Sequence, residues 1–162
     1  MKRILILAVL AVVSVVMLMP ASKGDAVRIH IRANSDSESD QAVKIQVRDR
    51  VNEYLYPLLE NVKTRNEAIS VLEGAEARLK EIAEEASEME CTVSLREEVF
   101  PEKTYNGETF PEGEYTALII EIGEGAGRNW WCVAYPNMCY TTSEKIEYRS
   151  FIVELLERIG LW

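Results

Sequence analysis

Trp130 and Trp131 stand side by side in the run G-R-N-W-W-C-V-A-Y-P-N-M-C from Gly127 to Cys139, which also holds two of the three cysteines. Successive side chains of a strand point to opposite faces, so the two indoles cannot enter the same core. Each is large enough to require specific packing or a partner. A fold with this strand therefore buries one indole in a core, while the other covers a second layer or meets a ligand.

The rest of the chain is periodic. Val27 to Ala33 alternates as V-R-I-H-I-R-A, a half-buried strand with Val27, Ile29, Ile31 and Ala33 inward. Asn34-Ser35-Asp36-Ser37 turns the chain into a helix, with Ser37 and Asp40 at capping-box spacing. Its apolar stripe is Val43, Val47, Val51, Leu55, Leu58 and Val62, and Pro57 kinks or ends it. Thr64 and Glu67 cap a second helix with the stripe Ala68, Leu72, Ala75, Leu79, Ile82, Ala86 and Met89. At Cys91 the period drops to two. Phe100-Pro101 and Phe110-Pro111 bracket a turn-rich loop that could form a docking rim, and Tyr115 to Ile122, apolar on both faces, reads as a central strand. Gly123 to Gly127 is a turn into the Trp130–Tyr135 strand, and an amphipathic helix is predicted over about 143–159. The order β-α-α-β-β-β-α predicts an α+β fold, a mainly antiparallel sheet of about four strands with two or three helices packed on one face.

Lys2 and Arg3 precede an apolar run from Ile4 to Met19, the pattern of a signal peptide or N-terminal anchor over 1–24. Residues 25–162 then form one domain. The leader holds Lys2, Arg3 and Lys23 and no acidic residue, so the remainder carries 15 basic and 27 acidic side chains, a net charge of −12. Such a balance disfavours nucleic acid and anionic membrane surfaces as partners.

Chemistry-bearing groups are sparse. The polar corner at Asn34-Ser35-Asp36 suits either a capped helix or a ligand site. His30, the only histidine, falls on the face opposite Ile29 and Ile31 and reads as solvated or on the sheet surface. A hydrolase would need it beside Cys132. Cys132 and Cys139 enclose six residues with Pro136 between them; a disulfide there would contribute about 2–3 kcal/mol, and two structural thiols would look the same in sequence. Cys91 reads as a buried strand thiol. Zinc and calcium spacings are absent, the glycines at 123–127 read as a turn rather than a phosphate cradle, and no metal, cofactor or small-molecule substrate is expected.

Two segments carry a resemblance. F-P-E-K-T-Y-N-G-E-T-F-P-E-G-E-Y (Phe100–Tyr115) followed by N-W-W-C-V-A-Y-P-N-M-C, and R-I-H-I-R-A-N-S-D-S-E-S-D-Q-A-V-K-I-Q-V-R-D (Arg28–Asp49), resemble the stage II sporulation protein R family in the expected order over roughly 27–140. The resemblance implies an exported signalling protein, sent from the forespore to the intermembrane space. There it would activate a membrane-embedded protease that processes the pro-form of the mother-cell sigma factor, sigma-E. It implies an activating ligand rather than an enzyme. Chemistry and resemblance together nominate Asn34, Ser35, Asp36, Asn129, Trp130 and Trp131 as partner contacts. An exported cell-envelope hydrolase and an envelope-binding structural protein are the alternatives.

Overall fold

The computed structural model describes residues 26–105 and 107–139. The leader over 1–24 and the helix predicted over 143–159 lie outside them. Six strands and two helices follow in the order β1 (Val27–Arg32), α1 (Glu38–Leu59), α2 (Arg65–Ser87), β2 (Cys91–Phe100), β3 (Lys103–Tyr105), β4 (Glu108–Phe110), β5 (Gly113–Ile122) and β6 (Asn129–Tyr135). The main sheet has the order β2-β5-β1-β6. β1 runs parallel to β5 and antiparallel to β6, and β2 runs antiparallel to β5. The architecture is α+β, as the periodicity predicts.

Alternation assigns the two faces. Val27, Ile29 and Ile31 of β1, Leu118, Ile120 and Ile122 of β5, and Cys132 and Ala134 of β6 pack against the helices. The helices supply Val47, Val51, Leu55, Leu59, Leu72 and Leu79, among others. Ser37 caps α1 by accepting from Asp40 N, and Thr64 caps α2 by accepting from Glu67 N. Pro57 lies in the last turn of α1, which ends at Leu59. Leu58, expected in the core, is instead exposed and Leu59 is buried: one residue along a helix turns a side chain by about 100°.

The described helices pack on one side only, as expected, but the far face is covered as well. The segment predicted as a loop between the two Phe-Pro pairs holds the hairpin β3–β4, which lies over that face. A second core forms beneath it from Phe100, Phe110, Tyr115, Ala117, Ile119 and Val133. β1 is consequently buried on both faces, and Arg28 and His30 are buried with it.

The outer edge of β2 is closed by α2. Glu76 accepts from Leu95 N at 2.9 Å and Glu84 from Cys91 N at 3.2 Å. Among the described residues no helix is long and apolar enough to cross a membrane. The packing makes a paired prediction: Leu72→Ala should destabilise the domain by about 2–5 kcal/mol, whereas Leu58→Ala should stay within about 0.5 kcal/mol, both read from urea unfolding.

Candidate functional site

The two ends of the sheet present different chemistry. At the C-terminal end of β1 the corner over 33–37 meets the β5–β6 loop. Asn34 Oδ1 accepts from Glu124 N at 3.0 Å, and Asn34 O accepts from Ala126 N at 3.2 Å. Ala33 O accepts from Gly127 N at 2.8 Å, and Asp36 Oδ1 from Arg128 N at 2.7 Å. Lys44, buried in α1, donates to Arg128 O at 2.9 Å and to Gln41 at 2.7 Å, and its burial pushes the ammonium pKa down. The loop lies so close that a Cβ on Gly127 would overlap Ser35 O, and one on Gly123 would overlap Asn34 Oδ1. Gly123 also sits at φ 55°, so two constraints select glycine there.

Asp40 is the hub of this latch. Its carboxylate accepts from Ser35 Oγ at 2.6 Å and from Asn34 Nδ2 at 2.8 Å, rather than reaching back to the helix cap. Those hydrogen bonds hold its pKa below the ordinary carboxylate value. The polar atoms of Asn34, Ser35 and Asp36 thus engage the chain's own backbone and Asp40. Asn129 and Trp130 begin β6 at the same end, opposite Arg32 and Ile31.

Trp130 and Trp131 take opposite faces, each half-buried. Trp130 packs at the rim of the helix-side core, with the Arg48 guanidinium 6.0 Å from its ring centroid. Trp131 packs on the far core; its ring lies 5.7 Å from that of His30, and Lys103 Nζ lies 4.9 Å above it.

His30 is buried, not solvated. Its Nδ1 meets Glu98 Oε1 at 2.8 Å, and its ring lies 5.8 Å from that of Phe100. Glu98 also takes Arg32 Nη2 at 2.6 Å, while Arg32 Nη1 reaches Glu121 at 2.6 Å. Burial works against the charge on Glu121, but the Thr92 hydrogen bond and the Arg96 and Arg32 guanidinia hold its pKa below the ordinary value. Cys132 is on the other face, paired in register with Ile29, and is joined to Cys139 with Cα atoms 5.8 Å apart. The His30–Cys132 pairing that a thiol hydrolase would need is therefore excluded. Cys91 is a free, buried thiol whose pKa is pushed up by burial.

Arg28 carries no signal of a site in the sequence. It is fully buried beneath the hairpin, its Cζ 4.6 Å from the Phe100 ring centroid, 5.1 Å from that of Tyr115, and 5.5 Å from those of Tyr105 and Phe110. Nε donates to Cys132 O at 3.1 Å and Nη2 to Tyr105 at 3.2 Å. Burial pushes its pKa down and that of Tyr105 up. The missing signal was the second layer: the alternation at 27–33 reads Arg28 as outward, and only the hairpin makes that face an interior. Among the described residues no group of three or more His, Cys, Asp or Glu side chains is placed to hold a metal.

A helix-backed mixed sheet, latched at one end and roofed by a hairpin at the other, defines a small α+β domain. The family model described as Stage II sporulation protein R matches residues 23–145, and the chain belongs to that family. Its place is among the proteins of sporulation. Stage II sporulation protein R of Bacillus subtilis (strain 168) is 38% identical over 120 residues, covering 71% of this chain and 54% of the relative. The chain thus spans about half the length of that curated relative. No solved structure matches.

Two outcomes test the latch. Gly127→Ala should lower stability by about 1–3 kcal/mol, because the new methyl must displace backbone, a loss that thermal unfolding reads. A carboxylate held below its ordinary pKa stabilises the fold above that value, and the contribution disappears as pH falls through the lowered folded-state pKa. The difference in unfolding temperature between wild type and Asp40→Asn should therefore be largest near neutrality and shrink on acidification below the ordinary carboxylate range.

Proposed function

We propose that this chain is an exported sporulation signalling domain. It activates a membrane-embedded protease that then processes the pro-form of sigma-E. The observation carrying this reading is the family match over residues 23–145. Three physical features support it. The Cys132–Cys139 disulfide suits an oxidising compartment outside the cytosol. The leader pattern at 1–24 supplies a route of export. The two indoles at Trp130 and Trp131, one on each face of β6, give the domain aromatic contact area of the kind that dominates protein interfaces.

The domain acts by binding the active form of its receptor better than the inactive form, which shifts the receptor's population. Asn129, Trp130 and Trp131 are the primary contacts. Asn34, Ser35 and Asp36 hold the adjoining loop and present the corner beside them. Partner and compartment follow from the family reading, with no small molecule, cofactor or nucleic acid involved.

The test is processing of pro-sigma-E in a non-sporulating host carrying the cognate protease, with the chain expressed with and without residues 1–24. Processing that requires the leader is expected. Its absence with a verified, folded and exported protein overturns the proposal. Trp131→Phe, which keeps a ring against His30, should cut processing about tenfold while the free energy of unfolding changes by less than about 1 kcal/mol.

A further inference from the structure

We infer that the seam between the β3–β4 hairpin and the far face of the sheet is a binding site for a peptide carboxylate, with Arg28 as its anchor. It is independent of the signalling reading: a chain that failed to activate a protease could still bind such a group.

The argument begins with charge. The chain has 27 acidic and 18 basic side chains, so a cation without a carboxylate partner is unusual. Arg28 is fully buried, remains charged at any physiological pH, and among the described residues bonds to neutral groups, Cys132 O and Tyr105. Its Nη1 is buried with no hydrogen-bond partner among the described residues. Lys103, on the hairpin, meets the Trp131 ring and no carboxylate among the described residues. His30, two residues along β1 on the same face, likewise has a buried ring nitrogen, Nε2, with no partner among the described residues.

Shape selects among anions. The walls around Arg28 are aromatic rings, which suit a planar, singly charged group held by the guanidinium fork. A phosphate dianion would bury further oxygens against those rings without donors. Access is built in: β3 and β4 pair with each other and not with the main sheet. The hairpin can lift from Arg28 by parting the side-chain contacts of Tyr105 and Phe110, leaving the main ladder intact.

The test is calorimetric titration of the full chain with four probes: N-acetyl-Ala-Phe with a free carboxylate, its C-terminal amide, N-acetyl-Ala-Glu-Phe-amide, and inorganic phosphate. Saturable binding of a carboxylate peptide, with the uncharged amide weaker by about tenfold or more, is expected, since a charge-assisted pair to buried arginine is lost. Comparison of the first and third probes shows whether a chain end or a side chain supplies the group. Arg28→Met, which replaces the guanidinium with an apolar side chain, should abolish that preference. No saturable binding, equal binding of acid and amide, phosphate as the tightest ligand, or undiminished binding by Arg28→Met each overturns the site. Should Arg28→Met fail to fold, Lys103→Gln decides: weaker carboxylate binding supports the site, and unchanged affinity overturns it.

Discussion

The architecture depends on the pairing of β1 with two strands from the far end of the described chain. β5 takes its parallel edge, from Arg28 opposite Ala117 to Arg32 opposite Glu121, and β6 its antiparallel edge. Every other element is arranged around that ladder. The two helices cover one side of it, and the hairpin covers the other. Non-local pairing of this kind closes long loops before it is rewarded. The latch between Asn34, Asp36 and the β5–β6 loop fixes the ends of β1, β5 and β6 relative to one another. Asp40 links α1 to that same corner, so helix start, loop and strand ends share one set of hydrogen bonds.

Much of this was legible in the residues. The 3.6-residue stripes located both helices, and Ser37 and Thr64 marked their starts. The apolar run 115–122 indicated a strand buried on both sides, and β5 is one. What the pattern could not reveal was the partner of the second face. Alternation in β1 separates Arg28, His30 and Arg32 from Val27, Ile29 and Ile31, yet it does not say that the polar set is also covered. That depends on a hairpin more than 70 residues away, reaching back through Tyr105 to Arg28. Leu58 went astray for a smaller reason, since a stripe near a helix end carries a phase error of a single residue. The six candidate contacts are divided by the fold: Asn34, Ser35, Asp36, Asn129 and Trp130 gather around the latch end, while Trp131 packs on the far core beside His30.

The two indoles illustrate how one sequence feature can report on both layers. Because Trp130 and Trp131 are adjacent, each face of β6 has an aromatic residue at its rim, and each ring has a cation over it, Arg48 on one side and Lys103 on the other. The strand therefore offers similar chemistry to two directions, while the disulfide at Cys132 anchors the chain that follows it.

The edge of β2 has a consequence of its own. Glu76 and Glu84 occupy N–H groups that an incoming strand would need, and they place negative charge along that border. A neighbouring molecule seeking to extend the sheet there would have to displace two carboxylates and approach a chain of like sign. From Cys91 to Leu95 the β2 border is thus guarded against edge-to-edge pairing by the helix beside it.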